Sequence, residues 1–303
     1  MKLLLPLSWL YAFVVIVRNK LFDWGVLKSE DAGVPVISVG NLTVGGTGKT
    51  PLVEYIVEYL LRDGRRVGVV SRGYKRNSTG VAVVSDGEKI VATAEQGGDE
   101  PVQIAHKFPA SIVVVSEKRA DAARKAVQFG ADVLVMDDGF QHRYLKRNLD
   151  IVVVDATTNV LHDAVVPAGR LREPLSGLRR AKIVALSRFN ENNPDHAGLE
   201  KKLSSFTTAP FVRFHYTLHE IRRVHDDGLA SPDVVKRMSV IAFSGIGNHE
   251  AFTIQLRETG FNPLSDMRFP DHHRYSEADM LTLASFAKAM NVDACITTEK
   301  DAV

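Results

Sequence analysis

The sequence predicts an α/β protein: a P-loop-containing α/β/α sandwich with a mainly parallel sheet, joined by a strand-like linker to a second, smaller α/β domain. Three observations predict it. Short, nearly continuous apolar runs alternate with amphipathic helical patterns, as expected of strands covered on both faces. A glycine-rich turn, Gly45-Gly46-Thr47-Gly48-Lys49-Thr50, lies between one such run and one such helix. The alternation then lapses over residues 190–210, a polar stretch carrying Asn, Asp and Pro, before a new set of elements begins.

Residues 3–17 are apolar apart from Ser8 and are bracketed by Lys2 and Arg18. As a helix this stretch reaches about 22 Å against a hydrocarbon core of roughly 30 Å, and Pro6 weakens its start. It is short for a full span, and no small-residue cleavage site follows it. The expectation is a helix lying in a membrane interface, anchored by Trp9, Tyr11, Arg18, Lys20 and Trp24; an ordinary helix packed on the domain is the alternative.

Residues 34–39 form a β-branched strand that ends at Gly40-Asn41. The stretch after Thr50 turns helical, with Leu52, Val53, Ile56, Val57, Leu60 and Leu61 on one face. Glu54, Glu58 and Arg62 line the other face at i, i+4, and Pro51 sits in the first turn, where a missing N–H is harmless. Further strands are predicted over 67–70, 112–115, 133–136 and 151–154, a hairpin-like pair around Asp86-Gly87, and helices after Gly98 and over 119–129. Residues 211–216 alternate like a strand. A strand over 239–243, helices over 249–259 and 277–289, and a strand over 294–297 complete the second domain.

The expected organisation is an interface helix over 1–30, a nucleotide-binding domain over 31–205 and the smaller α/β domain over 206–303. Val303 follows the last strand directly, where an α/β domain ordinarily continues into a covering helix, so part of the second domain is unaccounted for.

In 303 residues, 45% hydrophobic and 24% charged, there is no repeat or low-complexity tract, which excludes an array or a largely disordered chain. A net charge of +2 is too small for wholesale nucleic-acid binding, and no nucleic-acid partner is expected. The basic residues nevertheless cluster over 62–66, 72–76, 143–147 and 170–182, positions suited to an anionic substrate or anionic headgroups. Cys295 is the only cysteine, so no intrachain disulfide can form, and a cytoplasmic site of action fits.

A P-loop needs glycines so that backbone N–H groups converge on phosphates, a lysine reaching the β- and γ-phosphates, and a Ser or Thr hydroxyl on Mg²⁺. Gly45, Gly46, Thr47, Gly48, Lys49 and Thr50 supply all three, although Thr43 stands where the full pattern has its first glycine. ATP and Mg²⁺ are therefore the expected cofactors. The run Val133-Leu134-Val135-Met136 delivers Asp137 and Asp138 at the carboxyl end of a buried strand, from which a metal-holding acid reaches Mg²⁺. Adjacent acids also cap turns, and which of the two meets the metal stays open.

Seven segments, in order, resemble the tetraacyldisaccharide 4′-kinase family of lipid A biosynthesis. They are Gly40 through Pro51, Ser71-Arg72-Gly73-Tyr74, Gly98-Asp99-Glu100-Pro101, Asp137-Asp138-Gly139-Phe140-Gln141-His142, Gly169-Arg170-Leu171-Arg172-Glu173-Pro174, Phe269-Pro270-Asp271-His272-His273 and Thr298-Glu299-Lys300-Asp301. The resemblance covers nearly the whole chain. It implies transfer of the γ-phosphoryl group of ATP to the 4′-hydroxyl of an acylated disaccharide monophosphate, giving lipid IVA, at the cytoplasmic face of the inner membrane, with the protein peripheral or monotopic. It also implies Glu173 as a further Mg²⁺ ligand, Arg172 facing charge on the transferring group, and Asp99 as proton acceptor, supported by His272 across a closing cleft between the domains. The competing expectation is a membrane-associated P-loop ATPase switch. Such proteins share the Gly-Gly-x-Gly-Lys-Thr core but carry lysine where this chain has Val44.

Overall fold

Apolar strands covered on both faces build the first of two units, and the computed structural model describes residues 4–226, 228–271 and 273–302. The chain divides into units at 215/216. The first opens with α1 (Leu5–Asp23) and continues through β1 (Val36–Asn41), α2 (Lys49–Arg62), β2 (Val67–Ser71), β3 (Ala82–Asp86), α3 (Ala94–Gly97) and α4 (Asp99–Lys107). Then follow β4 (Ile112–Val115), α5 (Arg119–Gln128), β5 (Val133–Asp137), β6 (Leu149–Asp155), β7 (Ile183–Ser187), α6 (Pro194–Leu203) and β8 (Phe211–Phe214).

Eight strands form one sheet in the order β3-β4-β2-β5-β1-β6-β7-β8, in which only β3 pairs antiparallel. The residues of β2, β4 and β5 are buried throughout, as strands between two helical layers must be. Val39, Val69, Val113 and Val135 meet Val53 and Val57 of α2 and Ile104 of α4 on one face. Val70, Val114 and Leu134 meet Ala122, Ala123 and Ala126 of α5 on the other. The small residues of α5 let that helix lie close to the strands, and its contacts with β2 and β4 follow from this.

Three expectations are corrected here. Residues 183–187, unassigned from sequence, form β7, an internal strand of the sheet. Residues 190–210 are not simply a linker, because α6 starts there with Pro194 in its first turn and the Asn193 side chain accepting from the Asp195 amide at 3.0 Å. Strand β8, assigned from sequence to the second domain, pairs parallel with β7 and belongs to the first unit.

The first helix also differs from expectation. It runs through Asp23, 19 residues against the fifteen of the apolar stretch over 3–17, and is long and apolar enough by length and composition to cross a membrane. Its buried stripe is Ser8, Val15, Asn19 and Phe22, whereas Leu7, Trp9, Leu10, Phe13 and Val14 are exposed. Two polar side chains, Ser8 and Asn19, share the inward stripe with Val15 and Phe22, while most of the large apolar side chains face outward. That inverts the usual arrangement of a helix packed on a soluble domain.

The second unit contains β9 (Ile221–Arg222), β10 (Leu229–Ala230), α7 (Pro232–Val235), β11 (Val240–Ser244), α8 (His249–Glu258), β12 (Ser265–Arg268), α9 (Glu277–Ala289), β13 (Ala294–Ile296) and α10 (Glu299–Ala302). Its parallel sheet, β12-β11-β13, packs Ala242 against Val235, Leu256 and Phe261. The His249 ring bridges three elements, with Nδ1 2.7 Å from Ser244 Oγ and Nε2 2.7 Å from Asp266 Oδ2. Ser244 and His249 are buried, so this serine, histidine and aspartate set is a strut between β11, α8 and β12. The late motifs meet one another: Asp301 accepts from the Gly245 amide at 3.0 Å, and Lys300 Nζ lies 3.5 Å from Asp271 Oδ1. His272 lies outside the described residues.

Candidate active site

Strand β1 lies between β5 and β6, the point at which the chain's connections pass from one half of the sheet to the other. Open α/β sheets bind ligands at the carboxyl ends of strands at such a point. Here the chain leaves β1 into residues 42–48. Gly45 and Gly48 have φ of +102° and +80°, backbone that a side chain would strain.

The departure at Thr43 has a local cause. Thr43 bridges antiparallel to Leu171, the Val44 N–H donates to the Arg170 carbonyl at 2.8 Å, and the Arg172 N–H donates to the Leu42 carbonyl at 2.6 Å. Residue 43 is thus extended in a short ladder, where a β-branched residue packs well, and the glycine requirement begins at Gly45. The same ladder carries Arg172 and Glu173 to the phosphate loop.

Two further contacts hold the loop down. Asn41 Nδ2 donates to Thr47 Oγ1 at 2.8 Å, and Ser187 Oγ at the end of β7 donates to the Thr47 carbonyl at 2.9 Å. Thr47 is consequently buried and braces the turn, while Gly45 and Gly46 stay exposed. Lys49 and Thr50 open α2, so the loop leads into a helix N-terminus, which favours anionic groups.

The two acids at the end of β5 have different surroundings. Asp138, at φ +50°, accepts from Arg172 Nη1 at 2.8 and 2.7 Å and lies 3.5 Å from Lys49 Nζ. Burial pushes its carboxyl up, but Lys49 and Arg172 together hold it below the usual range. Asp137 is buried, and its Oδ1 has no hydrogen-bond partner. Burial, with the charges of Glu100 and Asp138, pushes its pKa up to about 7 against the pull of Lys49 and Arg119. A buried, unpartnered carboxylate oxygen at the carboxyl end of a central strand suits a divalent cation. Among the described residues no group of three acids, histidines or cysteines forms a ready-made cage. Mg²⁺ typically takes one or two carboxylates and completes its shell with phosphate oxygens and water.

Glu173, expected from the resemblance as a further Mg²⁺ ligand, is hydrogen-bonded within the protein in this structure. Its fully buried carboxylate accepts from Arg180 Nη2 at 2.9 and 2.8 Å, from Gln141 Nε2 at 2.9 Å and from Asn19 Nδ2 at 3.1 Å. Both oxygens thus accept hydrogen bonds, which tie Glu173 to α1, to Gln141 and to Arg180. Asp99 is the first residue of α4, and Gly98, at φ +92°, occupies the capping position, so Asp99 is not the helix cap. Since the neighbouring Glu100 acts electrostatically on Asp137, the first turn of α4 borders the end of β5.

Near these acids lie three arginines that form no close ion pair, although the charges of Asp137 and Asp138 reach Arg119. Arg18, Arg72 and Arg119 have no carboxylate within ion-pair distance among the described residues, and buried Nε atoms of Arg18 and Arg119 lack hydrogen-bond partners. They surround His142, whose buried Nε2 is also unpartnered. Burial, then the charges of Arg119, Arg147, Arg18 and Arg72, push the His142 pKa down to about 4. Sequence reasoning quoted Gln141 and His142 within a motif but gave them no role, and it assigned none to Asn19, Glu100, Arg119 or Ser187. The signal for Arg18 and Asn19 was polar character at the end of an apolar helix.

The depressed His142 pKa carries a pH prediction. Between about 4 and 6.5 the unfolded chain binds the proton and the folded chain does not, so stability is lost as pH falls through that window. His142→Gln should remove this contribution. Urea midpoints at about pH 5 and about pH 7.5 should separate further in the wild type than in the variant. Equal separations would assign the proton uptake elsewhere.

Comparison with known proteins places this arrangement in context. The family model described as "LpxK: Tetraacyldisaccharide-1-P 4'-kinase" matches residues 1–303. A tetraacyldisaccharide 4′-kinase of Chlorobaculum tepidum is 40% identical over 99% of this chain and 85% of its own length. One from Bdellovibrio bacteriovorus is 37% identical over 98% and 87%. The crystal structure of LpxK from Aquifex aeolicus in complex with ATP superposes with a TM-score of 0.76 at 36% identity, covering 99% of this chain and 89% of that one.

Proposed function

The chain belongs to the tetraacyldisaccharide-1-P 4′-kinase family, and from that premise we propose how its residues divide the work of the reaction. The activity is transfer of the γ-phosphoryl group of ATP to the 4′-hydroxyl of a tetraacyldisaccharide 1-phosphate, giving lipid IVA in lipid A biosynthesis. One observation carries the assignment of parts: the phosphate loop at the end of β1 stands beside the acid-bearing end of β5.

Lys49 and the amides of Gly45, Gly46, Thr47 and Gly48 hold the β- and γ-phosphates. Thr50 and Asp137 would hold Mg²⁺, which would supply positive charge to neutralise charge developing on the transferring group. Asp138 keeps Lys49 and Arg172 aimed at the γ-phosphoryl group. Arg172 meets charge on that group during transfer. Asp99 accepts the proton of the attacking hydroxyl.

Arg18, Arg72, Arg119 and His142 hold the phosphate that the lipid acceptor already carries. The buried, unpartnered Nε atoms of Arg18 and Arg119 support this, because a buried donor without an acceptor is costly. The exposed apolar face of α1 lies in the cytoplasmic membrane interface, bringing Arg18 to headgroup depth. Incubation with ATP, Mg²⁺ and the acylated disaccharide monophosphate should yield a lipid bearing a second phosphate. ATP hydrolysis with no phosphorylated lipid would favour the membrane-associated switch.

The membrane assignment is tested on α1 itself. Trp9 and Phe13 are 69% and 63% exposed. Trp9→Asp with Phe13→Asp should reduce partitioning onto anionic vesicles and raise KM for the lipid at least about fivefold, leaving KM for ATP within about twofold. Unchanged partitioning would remove the interfacial role of this face.

A further inference from the structure

We infer that Asn19 of α1 is a positioning residue for the phosphate site, so that the apolar helix forms one wall of the catalytic centre in addition to serving as an anchor. Asn19 is 6% exposed, on the inward stripe of a helix whose other face is apolar. Burying an amide is costly unless it is hydrogen-bonded, and packing alone would be served by Leu or Ile at this place. The Asn19 amide has a partner with a defined role: Nδ2 donates to Glu173 Oε2 at 3.1 Å. Its backbone carbonyl accepts from Arg143 Nη1 at 2.7 Å, which fixes this turn of the helix on the unit.

From Glu173 a hydrogen-bonded chain reaches the phosphate loop. Gln141 Nε2 donates both to Glu173 Oε1 and to the Asn41 carbonyl, each at 2.9 Å, and Asn41 Nδ2 donates to Thr47 Oγ1 at 2.8 Å. Glu173 also follows Arg172, whose guanidinium holds Asp138 beside Lys49. A displacement of Glu173 therefore moves both the brace under Thr47 and the cation facing the γ-phosphoryl group. The side chain is confined on its other side, since a Cβ on Gly177 would lie 2.5 Å from Glu173 Oε2. Loss of the Asn19 donor leaves a buried carboxylate oxygen short of a partner, and the charge relaxes toward Arg180, which binds both oxygens. Misplacing catalytic groups by about an ångström costs on the order of 10²-fold in rate, and loss of outer-shell partners costs roughly 10- to 100-fold.

This inference rests on the reading that the Lys49 loop binds ATP and that Arg172 faces the transferring group. The test uses the full chain with vesicles containing the acylated disaccharide monophosphate. Asn19→Ala should lower kcat about tenfold or more, with vesicle partitioning and KM for the lipid within about twofold of wild type. Asn19→Asp sets a carboxylate against Glu173, and its rate relative to wild type should recover as pH falls from about 8 to about 6, as the pair takes up a proton. Simple loosening of the helix would give no such pH dependence. Ser8→Ala removes the hydrogen bond that Ser8 Oγ accepts from the Ala168 amide and should leave kcat within about twofold. A wild-type kcat in Asn19→Ala would overturn the inference, as would equal losses in Asn19→Ala and Ser8→Ala, or loss of kcat in step with loss of vesicle binding. If Asn19→Ala does not fold, the pH dependence of Asn19→Asp decides. A wild-type chain that phosphorylates no lipid would overturn the kinase reading itself and is a separate outcome.

Discussion

Lys49→Ala should lower lipid phosphorylation by about 10³-fold and raise KM for ATP, with the folded state intact. Preorganised charges aimed at a transferring group are worth roughly 10²- to 10³-fold each, and a cation on the β- and γ-phosphates acts in both ground and transition states. Lys49 begins α2 with its side chain 14% exposed and Nζ 3.5 Å from Asp138. Removing it does not strip Asp138 of its counter-charge, because Arg172 still holds both carboxylate oxygens. Alanine is also a good helix former at the start of α2. Thermal unfolding should therefore shift little while turnover collapses. A variant retaining the wild-type rate with unchanged ATP dependence would remove the P-loop assignment.

How much of this was legible in the sequence follows from the range of each interaction. Strands β1, β2, β4 and β5 read clearly because apolar runs bounded by turn residues depend only on burial, and the phosphate loop is a local pattern. Strand β7 was missed because it is short and follows Arg179, Arg180 and Lys182, so the basic surroundings masked its apolar core. The start of α6 carried its signals, Asn193 and Pro194, but a stretch of turn formers hid them. The apolar run of α1 was legible over 3–17, but the inward roles of Arg18 and Asn19 were not, because their partners lie far away in sequence. Arg18 and Asn19 continue the helix and turn their polar atoms inward, to the Gln141 carbonyl and to Glu173.

The site divides along the same line. The residues that hold nucleotide lie within a few positions of one another and could be named from spacing. The roles of Asp138 and Glu173 could not, because Arg172 meets Asp138 across 34 residues and Asn19 meets Glu173 across 154. Those partners are set by the ladder between 42–44 and 170–172 and by the docking of α1, both products of tertiary packing. The choice of Asp137 over Asp138 as metal ligand, open from sequence, remains a proposal, supported by the arginine paired with Asp138 and the unpartnered oxygen of Asp137.

Asp99→Asn should lower kcat at least about 10²-fold, the usual worth of a general base, while leaving KM for ATP and the Mg²⁺ requirement nearly unchanged. The substitution preserves shape at the first turn of α4 and removes the capacity to take a proton together with the negative charge. Gly98 occupies the capping position at a φ of +92°, where a Cβ would lie 3.1 Å from the Gly73 α-carbon, so Asp99 is not the cap of α4. The charge of Glu100, next to Asp99, reaches Asp137 at the end of β5. A base that acts only on the attacking hydroxyl contributes to the transition state and not to ground-state nucleotide binding, so the loss should fall on kcat. The acidic limb of the pH–rate profile should also disappear in the variant, because the group whose ionisation produces it is gone. Unfolding midpoints within about 2 °C of wild type would confirm that the helix start is intact. A wild-type rate, or a loss expressed wholly in KM for ATP, would return Asp99 to a first-turn helix residue and leave the proton to another acceptor.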